Sequence, residues 1–323
     1  MTESRNTADV HTHFLPRDVL DFLRREPRID VRLEQRAPDK EPYLTVEGRW
    51  SFELKRAFVD FEAYAAAYER AGIGLALVSP LPQLFVYHLP ADLGALVAEV
   101  YNDALREVLA THRAQFRPLA TLPLADPVAA ARELERRMDE GFAGAIVGPG
   151  VGEALIGDEV FWPVWEVADA RRAVLFLHLL LHADPRAARL MLPNLVGVPW
   201  ETTLAASHLV LSGLIDRYPG ARVLLAHGGG FLPYQIGRIE QGYDVWPQVK
   251  ARLQDRPTAY LRRMFYDNVL WSDAALRCLI DVVGADRVLG GSDFPFDLSA
   301  WPPRAGADVS ALLGADAHDR RSP

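Results

Sequence analysis

Residues 171–185 read RRAVLFLHLLLHADP, an apolar run carrying two histidines four positions apart, His178 and His182. On a helix, positions i and i+4 are neighbours, and the two imidazoles could clamp a single ion. On a strand the same pair stands roughly 13 Å apart, at about 3.3 Å per residue, and cannot share one. Whether the run is helix or strand is a question about the whole fold, and the neighbouring segments answer it.

Runs of the same kind recur: ADVHTHF from Ala8, GLALVSP from Gly74, RPLATLPL from Arg117, GAIVGPG from Gly144, RVLLAHGG from Arg222, MFYDNVL from Met264 and RVLGGSDFP from Arg287. With AVLFLHL from Ala173 they make about eight candidate strands. Between them lie amphipathic stretches such as DFEAYAAAYERAG and DPVAAARELERRMDEG, several opening on Asp as an N-cap and closing on Gly. Continuous apolar strands alternating with helices imply a parallel sheet covered on both faces. Eight such units favour an α/β fold of the (β/α)₈ TIM-barrel type, one domain over residues 1–323, above an open doubly wound sheet. The open sheet is disfavoured because no G-x-G-x-x-G follows the first strand. Residues 17–59, polar and unlike a barrel helix, are expected to be an insertion after strand one that covers the barrel mouth.

Half of the 323 residues are hydrophobic, enough for a large core, and the formal charge of −8 gives no reason to expect nucleic acid or a membrane as partner. No apolar run approaches the roughly 20 residues that span a bilayer, and the N-terminus lacks a signal-like apolar stretch. The single cysteine, Cys278, cannot form an internal disulfide; it is expected to be buried in a helix, in a protein of the reducing cytoplasm.

In such a barrel the chemistry sits where strands end. Strand one ends in Asp9, His11 and His13, strand five in His178, strand six in His227 and strand eight in Asp293. His11 and His13, two apart, share a face and reach one ion together. Adding His178 and Asp293 gives three neutral nitrogens and a carboxylate, well suited to one Zn²⁺ and tolerable for Mn²⁺, Fe²⁺ or Co²⁺. Taken singly, each histidine also reads as a hydrogen-bonded structural residue, AHGGGF as a tight turn and GSDFP as a cap. The joint pattern across strands carries the metal reading.

On these residues the chain resembles the amidohydrolase superfamily, in the branch of 2-amino-3-carboxymuconate 6-semialdehyde decarboxylase and related non-oxidative decarboxylases. The matching segments are DVHTHFLP, LFLH at 175–178, the stretch from MLPNLVGVPWETT to LLAHGGGF at 191–231, IGRIE at 236–240 and RVLGGSDFPF at 287–296. The resemblance implies one divalent metal on His11, His13, His178 and Asp293, with His227 beside it as acid/base and Asp293 also orienting the reacting groups. Lysine occurs only at Lys40, Lys55 and Lys250, none at a strand end, so a carboxylated lysine bridging two metals has no candidate. Arg238 resembles an arginine that reaches into a neighbouring subunit and pairs with a substrate carboxylate, which implies a homodimer. Trp200 and Glu201, placed in the loop after strand five, are either pocket residues or caps of the next helix. With the coordination set filled, His182 is expected at the pocket rim, touching substrate but not metal.

The match breaks in places. Glu53 stands where the aminocarboxymuconate enzymes carry a carboxylate-binding arginine, Leu179 and Leu180 replace a Pro-Trp pair after His178, and LLGADAHDRRSP lacks the family's Asn-Ala pair, so the last barrel helix is expected to be short or completed by other contacts. A more apolar pocket follows. The expected activity is metal-dependent decarboxylation of an aromatic or muconate-like small carboxylic acid. The alternatives are a hydrolase of a lactone, ester or amide, a hydratase, and a catalytically idle barrel used as a scaffold.

Overall fold

A computed structural model describes residues 7–48, 50–178 and 184–314. Eight parallel strands form the barrel: Thr7–His13, Ile73–Ser79, Phe116–Thr121, Gly144–Val147, Val174–Leu177, Arg222–Leu225, Phe265–Asp267 and Val288–Leu289, here strands one to eight. Each coincides with one of the apolar runs. These runs stay apolar on consecutive residues because the strands are covered on both faces: strands four and five are buried at every position. Register is continuous through the middle of the sheet, Val174 pairing with Gly144 on one side and Arg222 on the other.

Helices return the chain between strands, and their ends follow the sequence signals. Asp60 caps the helix Phe61–Ala71 by accepting from the Ala63 N–H at 3.1 Å, and Gly72 closes it at φ 69°. Asp126 accepts from the Val128 and Ala129 N–H groups at the start of Pro127–Asp139. The helix Asp273–Val283 is capped by Ser272, with Asp273 inside its first turn.

Strand eight is only two residues long, so the ring is closed by the segment after it. Val10 N–H donates to Gly290 O at 2.8 Å, Asp293 N–H to His11 O at 2.7 Å and His13 N–H to Phe294 O at 2.9 Å. These bonds lay residues 290–294 against strand one.

The segment 17–59 carries secondary structure of its own. It holds a helix, Arg17–Arg25, then an antiparallel sheet of Val31–Glu34, Tyr43–Val46 and Trp50–Glu53, and a short helix, Arg56–Val59. Val19, Leu23, Leu44, Phe52 and Phe58 are buried in a second apolar cluster that also takes in Leu93 and Val97 of the helix Ala91–Val108. Phe52 and Phe58 pack on Phe296, which in turn meets the His13 ring at 5.3 Å. Lys55 ties down the same loop, with Nζ 2.7 Å from Asp297 and 3.1 Å from Pro295 O. Among the described residues no helix is long and apolar enough to cross a membrane.

Candidate metal centre

Strand geometry puts four of the predicted residues in one place. His11 and His13 leave strand one on the same face, His178 follows strand five, and Asp293 comes from the closing segment. All four are buried, and one donor atom from each lies within 4.8 Å of the others. Their rings pack edge to face, His178 standing 4.9 Å from both His11 and His13.

The hydrogen bonds around the cluster set which nitrogens are bare. His13 Nδ1 donates to Pro80 O at 3.1 Å, and His11 Nδ1 donates to Asp267 Oδ2 at 2.5 Å. Both rings therefore turn an unprotonated Nε2 inward in their neutral form. Nε2 of His11 and of His13 each stand 3.3 Å from Asp293 Oδ1. None of these inward atoms makes a hydrogen bond, and neither does either ring nitrogen of His178. Buried polar atoms left without partners are costly. Several of them converging on one point fit a cation, whose donors stand about 2.0–2.2 Å from it. The donor set is that of a divalent metal site.

Electrostatics agree with the geometry. Burial opposes a charge on His11, but Asp293 and Asp267 outweigh it and push its pKa up to about 10. Burial would raise Asp293, yet the surrounding imidazoles hold it well below the usual carboxylate range. Burial drives His178 well below the ordinary imidazole value, helped by the neighbouring histidines. The cluster thus draws in positive charge that its protons supply only in part.

His227 lies beside this set and outside it. Its ring is 5.1 Å from that of His11 and 5.3 Å from that of His178, and its Nε2 stands 3.7 Å from Asp293 Oδ2. The backbone of His227 is left-handed at φ 52°, as is that of Asp293 at φ 60°. Non-glycine residues avoid this region, and such strain collects at sites where side-chain direction matters. Both residues line a cleft of about 1360 Å³ at the barrel mouth. Its walls are largely apolar, with Phe52, Phe85, Phe231, Leu270, Trp271 and Phe296 among them, and none of its described lining residues is Lys or Arg.

Other predicted residues fall elsewhere. Trp200 and Glu201 are not in a loop: they occupy the first turn of the helix Val198–Leu211, where Pro199 and Glu201 are ordinary helix-start residues. Trp200 is half exposed and does not line the cleft. Arg238 is exposed on the helix Leu232–Val245 and does not line the cleft of its own chain, although Phe231, Pro233 and Tyr234 of the same segment do. His182 lies outside the described residues. Cys278 is on the expected helix but half buried, as a free thiol lining the cleft rather than in the core. The last described helix is Ser310–Leu313; Leu312 is buried and its carbonyl accepts from Arg222 at 3.0 Å.

Two carboxylates behind the cluster went unassigned in the sequence. Asp267 accepts from His11 as above. Asp9 accepts from the Tyr68 and Ser292 hydroxyls at 2.7 and 2.5 Å and from the backbone of His11 and Ser292, while burial pushes its pKa up to about 6.

Comparison with known proteins agrees with this architecture. The chain is 27% identical over 299 residues to 2-amino-3-carboxymuconate-6-semialdehyde decarboxylase of Dictyostelium discoideum, covering 91% of this chain and 83% of that one. It is 35% identical over 215 residues to gamma-resorcylate decarboxylase of Polaromonas sp. JS666, covering 61% of this chain and 65% of the other. Among solved structures, a dihydroxybenzoic acid decarboxylase from Polaromonas sp. JS666, bound to manganese and the inhibitor 2-nitroresorcinol, superposes with a TM-score of 0.69 at 24% identity, covering 90% and 87% of the two chains. The amidohydrolase family model matches residues 8–321, and the chain belongs to that family.

Proposed function

We propose that the protein is a metal-dependent carboxy-lyase that removes CO₂ without oxidation from an aromatic or muconate-like carboxylic acid. The observation that carries this reading is His227, placed beside the four-donor cluster but outside it, at the metal end of an apolar cleft. His11, His13, His178 and Asp293 would hold one divalent ion, which supplies a positive centre for a substrate carboxylate or its ortho oxygen.

The chain's own groups account for the rest. Phe231, Leu270 and Phe296 offer flat apolar surface to a ring and exclude water from it. His227, protonated, delivers its proton to the ring carbon that bears the carboxylate. The bond to the carboxyl carbon then breaks, CO₂ departs, and the electron pair returns to the ring. Protonation before cleavage avoids a free carbanion, which is the difficulty of this reaction. Because no described Lys or Arg lines the cleft, we take Arg238 to act on the neighbouring subunit of a homodimer, where its guanidinium pairs with a carboxylate. We take His182 to touch substrate at the rim and leave Trp200, off the cleft of its own chain, without that role. The three nitrogens and one oxygen suit zinc, with manganese, as in the Polaromonas structure, the competing occupant. The free Cys278 fits a reducing cytoplasm.

Metal-loaded protein incubated with panels of hydroxybenzoates, muconate-like acids and lactones, with CO₂ release followed, tests the proposal. His227→Ala is expected to keep the metal by elemental analysis and lose about 10²-fold or more in turnover, whereas His11→Ala loses the metal. Lactone turnover with no CO₂ from any acid would overturn the lyase reading.

A further inference from the structure

Asp267, the last residue of strand seven, is fully buried and enters none of the steps above. Four N–H groups converge on it. Oδ2 accepts from His11 Nδ1 at 2.5 Å and from the His227 backbone at 2.9 Å, and Oδ1 accepts from the backbones of Gly228 and Val269 at 3.0 and 3.1 Å. An ionised carboxylate offers about four acceptor sites, and all of them are taken. His227 and Gly228 are consecutive left-handed residues at φ 52° and 62°, so their N–H groups turn together toward one anion.

We propose that Asp267 is the positioning residue that couples the metal centre to the proton donor. One oxygen holds the His11 hydrogen on Nδ1, leaving Nε2 for the ion, and also pins the His227 backbone in the conformation that aims its ring into the cleft. Only a carboxylate meets this requirement. In Asp267→Asn an amide NH₂ replaces one oxygen and faces donors whichever way it is turned. Turned toward His11, it favours the opposite tautomer, with hydrogen on Nε2 where the ion would bind. The His227 half of this inference rests on the decarboxylase reading; the His11 half does not.

The first readout is zinc affinity of purified Asp267→Asn by competition with a chelator, expected to fall 10- to 100-fold. Unchanged affinity with only a lower melting temperature would reduce Asp267 to a structural residue and overturn the proposal. The second is turnover at saturating metal, expected to drop at least tenfold in the wild-type background but less than twofold in His227→Ala. Losses that multiply fully would overturn the His227 half. If the protein releases CO₂ from no acid, the proposed function fails while the affinity result still judges the His11 half. Should Asp267→Asn not fold, histidine ¹⁵N NMR of the zinc-loaded wild type decides: His11 ligated through Nε2 with hydrogen on Nδ1 is expected, and ligation through Nδ1 overturns the inference.

Discussion

Titrating the metal-free protein with Mn²⁺ at pH 7.5 is expected to release close to one proton per ion, and that proton comes from His11. Burial opposes its charge, but Asp293 and Asp267 outweigh burial and raise its pKa to about 10. His13 and His178 are held below the ordinary imidazole value, chiefly by burial, and bring no proton at this pH. Asp293 and Asp267 are both depressed by their histidine partners despite burial, and are already ionised. The Nδ1 hydrogen of His11 stays with Asp267, so only the Nε2 hydrogen must leave. Removing it at pH 7.5 costs about 2.5 pKa units, on the order of 3 kcal/mol set against metal binding. The sign is fixed: a group whose pKa is raised in the metal-free state competes harder as pH falls. Apparent affinity therefore rises about tenfold per pH unit from pH 7 toward 9. Calorimetry in buffers of different ionisation heat counts the protons, and Mn²⁺ avoids the extra proton that zinc-bound water gives up near neutral pH. Zero or two protons per ion at pH 7.5, or an affinity flat across this range, would refute the assignment.

Two further outcomes are expected. Arg137 is fully buried between the helices Pro127–Asp139 and Ala91–Val108, its guanidinium 2.6 Å from both Glu133 and Asp103 and 2.7 Å from Glu140; Arg137→Met is expected to cost about 2–3 kcal/mol, toward the low end for a broken buried pair because the acids can rehydrate, and an unchanged denaturant midpoint would contradict this. If Arg238 serves the neighbouring subunit, mixing inactive Arg238→Ala with inactive His227→Ala is expected to restore roughly a quarter of the wild-type rate through hybrid dimers, whereas no recovery from subunits shown to exchange would refute its action across the interface.

The barrel was legible because a strand covered on both faces must be apolar at consecutive positions, a constraint that GAIV and VLFL of strands four and five meet throughout. The sheet inside the insertion was not, since VRLE, YLTV and WSFE are four-residue segments, too short to stand out from loop. The metal cluster was readable from paired polarity at strand ends, the strongest signal being His11 and His13 on one strand. Asp267 ended strand seven in the same way, in MFYDNVL, but a lone acid with no histidine beside it resembled a cap; its role is visible only once the turn from His227 folds over it. Trp200 was misplaced although PWETT carries a helix-start signature, Pro followed by an acid in the first turn.

The seam of the barrel has a consequence for how the chain closes and breathes. His11 and His13 stand on one side of it and Asp293 on the other, separated by roughly 280 residues of chain, whose closure costs on the order of 5 kcal/mol of entropy by itself. No partly assembled barrel can present this donor set, because its two sides are the first and last strands to meet. An ion held across the junction acts as a clasp on the ring, so cation supply and resistance to local opening rise and fall together. Removal of the metal is therefore expected to weaken the seam that carries the chemistry, read as faster hydrogen exchange at residues 290–294.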